Sequence, residues 1–114
     1  MAVAPRPITV GLNLTAGTPT TVYTVPVGYY AKWVLMYLFN NSGSTKNISV
    51  YWRDASASAN IYVQNGSVPN NGFVRQNEAA YVVMEEGDTI VMQDEAGSTF
   101  STICTFELIK KEGI

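Results

Sequence analysis

The sequence predicts an all-β chain, an antiparallel two-sheet sandwich of jelly-roll-like topology with about eight strands. Three observations carry this expectation. Helix signals are almost absent: no window of twelve or more residues combines helical spacing of apolar side chains with a preceding cap. Two-residue alternation recurs along the chain, with clusters of Gly, Pro, Asn, Asp and Ser between the runs. The 114 residues suit a single domain that can fold without staples.

The strands follow in order. Residues 8–14 place Ile8, Val10, Leu12 and Leu14 on one face. "AGTPT" breaks the run. Residues 21–25 form a second strand, with Val22 and Tyr23 on opposite faces. Pro26-Val27-Gly28 marks a turn, because Pro fixes φ and Gly accepts positive φ. Residues 29–39 make the longest strand. Its apolar side chains run without interruption from Trp33, with Trp33, Leu35, Tyr37 and Phe39 expected on one face and Val34, Met36 and Leu38 on the other. A strand buried on both faces has this composition, so one face is expected in the core and the other against a second copy. "NNSGST" reads as a hairpin turn. Residues 46–53 then put Ile48, Val50 and Trp52 inward and Asn47, Ser49 and Tyr51 outward. Residues 54–72 read as a long surface excursion with one short strand, 61–63, of the kind that carries contacts or binding. Three strands close the chain, over 80–84, 89–94 and 100–109. Gly87 is expected in the left-handed conformation at the bend before the second of these. Residues 1–114 thus form one β-sandwich domain, in which the unpatterned residues 1–7 read as an arm toward a neighbour or as a frayed tail.

Composition bounds the chemistry. Charged residues make up 14% of the chain, below the usual quarter. A neutral surface of Ser, Thr, Asn and Gly suits packing against other protein, and equally suits a plain polar domain. The net charge of −2 and the lack of any Lys/Arg run argue against nucleic acid. The apolar run 33–39 is too short for a membrane span, and the start "MAVAPRPITV" has no secretory pattern. Without that pattern, the Asn-x-Ser/Thr tripeptides at Asn13, Asn47 and Asn65 read as turn composition.

The chain contains no histidine, which removes Ser-His-Asp and Cys-His catalysis and the usual His-bearing metal sites. Its single cysteine, Cys104, can form no intrachain disulfide and reads as a small buried hydrophobe beside Phe100 and Phe106. Glu85, Glu86 and Asp88 cluster at one turn, and Asp94 and Glu95 at the next. Hard cations bind such oxygens, but turn residues with no EF-hand spacing explain them as well. No enzymatic activity, no cofactor and no metal is expected.

The aromatic residues remain. Tyr51 faces away from Trp52, and one of Tyr29 and Tyr30 must point outward after the turn. Tyr29, Tyr30, Trp33, Tyr37, Tyr51 and Tyr62 are the candidate interface residues. Exposed Tyr and Trp serve protein interfaces and also stack on sugar rings, so a carbohydrate-binding module for host-surface glycan is the alternative reading.

The stretch "TTVYTVPVGYYAKWVLMYLFNNSGSTKNISVYW" resembles a pattern of small tailed-phage virion proteins. There a strand ending in Tyr-Thr-Val-Pro, then Gly, leads into a long strand, an Asn-x-Ser-Gly turn and another strand. Gly87-Asp88-Thr89-Ile90-Val91 matches a later Gly-Asp bend of that pattern. The resemblance covers residues 20–53 and 85–92. It implies a non-enzymatic β-sandwich structural protein of the virion, either a capsid decoration or cement protein or a tail accessory. The implied partners are the major capsid protein or a tail protein, and further copies of the chain, with a trimer favoured to hide an outer apolar face.

Overall fold

Nine strands make up the regular structure of residues 6–76 and 82–111, the part of the chain described by the computed structural model. They are β1 (Arg6–Asn13), β2 (Thr20–Thr24), β3 (Tyr29–Asn40), β4 (Lys46–Asp54), β5 (Ala59–Val68), β6 (Phe73–Gln76), β7 (Val82–Met84), β8 (Thr89–Asp94) and β9 (Phe100–Lys110). No helix long and apolar enough to cross a membrane occurs among the described residues.

One sheet has the order β1-β9-β3-β6, with β7 also on β3; the other has the order β2-β8-β4-β5. β6 pairs with Met36–Phe39 and β7 with Ala31–Trp33, so both lie along the same edge of β3 and run the same way. Counted as one interrupted strand, they give two sheets of four positions. The pairings β1 with β9, β2 with β8, β3 with β6 and β7, and β4 with β5 are nested. They describe one long antiparallel hairpin, its tip at residues 55–58, rolled up so that successive segments fall in alternate sheets. That is the jelly-roll arrangement the strand pattern predicts.

Only the β4–β5 tip joins neighbours within a sheet; every other connection among the described strands crosses between sheets or continues one edge. "NNSGST" is therefore an inter-sheet corner and not the hairpin turn expected. Asn40 builds that corner: buried, it donates from Nδ2 to Ser44 O at 3.0 Å and Val68 O at 2.8 Å, and its Oδ1 accepts from Ser42 N at 2.9 Å. The bend at Gly87 (φ 87°) also crosses, and Gly87 N donates at 3.0 Å to the carbonyl of Val25, just after β2.

The structure departs further from the expected pattern. The excursion 54–72 is largely the ten-residue strand β5, whose polar side chains hide its period. Phe73–Gln76 is a strand too short to stand out. Arg6 and Pro7, at the end of the segment read as an arm or a frayed tail, belong to β1, opposite Leu108 and Glu107; residues 1–5 lie outside the described residues. Of the strand expected over 80–84, Val82–Met84 is observed; Ala80 and Tyr81 lie outside the described residues.

The core fills the space between the sheets. Ala31, Trp33, Met36 and Leu38 of β3 face Ile48, Val50, Ile90 and Met92 of the second sheet, with Phe100, Cys104, Phe106 and Leu108 from β9. Ile8, Val10 and Leu12 of β1 pack against it, in the alternation read from the sequence.

Candidate functional site

The six candidate aromatic residues do not form one site. Burial and register divide them among the core and two outer faces.

Trp33 is in the core. It is 6% exposed, its ring stacks on Phe106 at 6.4 Å, and its Nε1 donates to Leu35 O at 3.0 Å. A register shift between Trp33 and Leu35 opposite β9 turns the strand by one residue. Trp33 thereby joins Met36 and Leu38 inside, while Tyr37 and Phe39 go outside. A strict alternation along 33–39 puts Trp33 with Tyr37, and the bulge is why that assignment fails. Tyr29 also packs against the core.

Tyr30 and Tyr37 lie on the outer face of the five-stranded sheet. The Lys111 ammonium stands 5.1 Å from the centre of the Tyr30 ring and pairs with Glu86. Tyr37 stacks on Phe73 of β6 with ring centroids 5.5 Å apart. Across the sheet Tyr37 is opposite Ile103, and Phe39 is opposite Phe73. Ile103 and Phe73 are 43% and 58% exposed, and Val83 on the same face is 52% exposed. The face therefore carries an apolar band over β9, β3 and β6, with Arg75 opposite Tyr37 at its edge, while Val83 of β7 stands apart from it, opposite Lys32 of the Lys32–Glu107 pair. Phe73, Ile103 and Val83 were not among the residues expected to make contacts. Ile103 stands out of phase with Phe100 and Phe106 in the sequence, which is the signal that marks it.

Tyr51 and Tyr62 form a second cluster on the outer face of the four-stranded sheet. They are cross-strand partners, with centroids 5.3 Å apart and planes tilted by 48°. Tyr62 is 57% exposed. Beside them Arg53 donates to Asn60 Oδ1 at 2.9 Å, and Ser49 Oγ donates to Asn65 Oδ1 at 3.1 Å. An open groove of about 280 Å³ continues along this face, lined by Asn47, Ile48, Ser49, Gln93, Asp94 and Glu95.

The acidic residues have structural surroundings. Asp88 is 2% exposed and accepts from Trp52 Nε1 at 3.1 Å, Ala55 N at 3.0 Å and Glu85 N at 3.0 Å. It ties the β7–β8 corner to the hairpin tip. The Lys111 ammonium beside Glu86 holds that carboxyl below its usual range. Asp94 is buried, and its Oδ2 has no hydrogen-bond partner among the described residues. No group of three or more His, Cys, Asp and Glu is placed to hold a metal among the described residues. Burial pushes the Cys104 thiol up to about 11, despite the Thr102 hydroxyl beside its sulfur. A half-open pocket of about 50 Å³ beside Trp33, Met36, Val63 and Gln76 is far smaller than a ligand site.

No protein-family model matches the chain, and no curated protein matches it in sequence. Solved structures do match it in shape. A chain of the acid-stable capsid of the Helicobacter pylori bacteriophage KHP30 is similar at a TM-score of 0.64 and 13% identity, over 98% of both chains. A chain of the Bacillus endospore appendages, a family of disulfide-linked pili, is similar at a TM-score of 0.52 and 13% identity, over 95% of this chain and 91% of that one. At these identities the likeness is one of fold.

Proposed function

We propose that the chain is a non-enzymatic structural subunit of a phage virion, packing as a symmetric oligomer on the capsid as a decoration or cement protein, or at the tail. The observation that carries this reading is the apolar band on the outer face of the five-stranded sheet, centred on Tyr37, Phe73 and Ile103. Contiguous exposed apolar side chains on a sheet mark a protein contact. Aromatic anchors ringed by polar residues are how such contacts are built. A closed symmetric assembly, with a trimer favoured, covers the band without leaving it open to further growth. The full-length likeness to a phage capsid chain supports the same reading, as does the resemblance of residues 20–53 to small virion proteins.

Analytical ultracentrifugation at micromolar concentration tests the assembly. The wild-type chain is expected to sediment as an oligomer, and Ile103→Lys as a monomer with an unchanged circular dichroism spectrum. A wild-type monomer removes the role given to the band. Particle fractionation tests the location: the chain is expected to co-sediment with virions after a salt wash.

A further inference from the structure

We propose that the outer face of the four-stranded sheet binds a neutral sugar residue, held in the groove between β4 and β8 and stacked against the Tyr51–Tyr62 pair. This function is separate from self-assembly, because its residues lie on the opposite side of the sandwich from the apolar band.

Three features of the face point to a polyhydroxyl ligand. The first is the aromatic wall. Tyr62 presents a 57% exposed ring at an edge strand, and Tyr51 holds it at 5.3 Å and a tilt of 48°. Such a ring offers an apolar surface to the C–H face of a pyranose and a hydroxyl to its rim. The second is the groove. Its 280 Å³ is adequate for one pyranose ring, and Ser49, which lines it, is two residues from Tyr51 on the same strand face, about 7 Å away. A sugar lying in the groove therefore reaches the wall.

The third feature is the polar lining. Ser49 Oγ donates to Asn65 Oδ1, which leaves the hydroxyl's lone pairs and the Asn65 amide N–H groups for a ligand. Gln93, opposite Ser49, donates from Nε2 to Gly17 O at 3.3 Å and keeps its side-chain oxygen as an acceptor. Glu95 accepts from Asn47 N at 2.6 Å through one oxygen and keeps the other. Paired donors and acceptors suit hydroxyl groups, which both give and take hydrogen bonds. The carboxylate of Glu95 and the lack of a cation in the lining disfavour an anionic ligand. Arg53, on the same face beyond Tyr51, is already engaged by Asn60. The class is therefore a neutral hexose or N-acetylhexosamine and not a sialylated or sulfated one.

Amide-resolved NMR titration of the full chain tests this. The probes are glucose, galactose, N-acetylglucosamine, the β1,4-linked oligomers of glucose and N-acetylglucosamine, and sialyllactose. Saturable shifts at millimolar sugar are expected around Ser49, Tyr51, Tyr62 and Gln93, with sialyllactose silent. Affinity rising with oligomer length indicates a surface polysaccharide, and equal affinity indicates a free sugar; either supports the site. Tyr62→Ala is expected to weaken binding roughly tenfold with its spectrum otherwise native. Gln93→Ala tests the groove independently of the ring. Silence of every neutral probe overturns the proposal, as do shifts centred on Tyr37 or binding unchanged in both variants. Neither result bears on self-association, which Ile103→Lys reports separately.

Discussion

Asp88 shows how one side chain fixes three pieces of backbone. Its carboxylate collects the Trp52 indole, the Ala55 amide and the Glu85 amide in a site closed to solvent. Replacing it with Ala strands those donors, and a loss of about 3 kcal/mol is expected from the midpoint of urea unfolding. Glu85→Ala, which leaves the amide in place on an exposed residue, is expected to change stability by less than about 0.5 kcal/mol. Cys104 gives the complementary case of a reactive group made inert. With its thiol raised to about 11 by burial, the native protein is expected to resist iodoacetamide at pH 8, and the urea-unfolded chain to react at once. The folded pKa lies above the unfolded one, so this group's contribution to stability is intact below pH 9 and is lost as pH rises through 11.

At the level of elements, β3 and β5 show what the sequence could and could not reveal. The clean alternation of Ile48, Val50 and Trp52, and of Ile8, Val10 and Leu12, gave the correct inward faces, because regular pairing preserves a period of two. The bulge in β3 breaks the period, and nothing in "KWVLMYLF" announces it, since every residue is compatible with either face. The same uncertainty made Trp33 a surface candidate. β5 was illegible for the opposite reason: its outward and edge positions are Asn, Gln, Ser and Gly, so a strand has the composition of a loop. Tyr62 was singled out all the same, but its pairing with Tyr51 needs the register. The bulge makes a direct prediction. Deleting Val34, which has no partner on β9, removes the bulge and leaves Trp33, Met36 and Leu38 in one regular alternation, so a folded chain is expected by circular dichroism; deleting Tyr37 puts Met36 and Leu38 on opposite faces, and an insoluble or unfolded product is expected. A two-residue Gly-Ser insertion between Ser56 and Ala57, both exposed at the hairpin tip, is expected to cost no more than about 1 kcal/mol in urea unfolding.

For the whole molecule, the nested pairing decides which surfaces are available. Rolling one hairpin into two sheets spends one face of each sheet on the core and leaves two broad outer faces of different character. One is apolar and crossed by Tyr37, Phe73 and Ile103; the other is polar, grooved and flanked by Tyr51 and Tyr62. On the proposed reading, the apolar face meets another copy and the polar one is left outward. The rolled hairpin also sets an order in time. β1 has β9 as its sheet partner, and all the other described strands are made between them. At about 5–20 residues per second of synthesis, the first strand waits roughly 5–20 s for its mate. Until then β1 has no sheet partner and one edge of β3 is unpaired, so the first sheet can close only after β9 has left the ribosome.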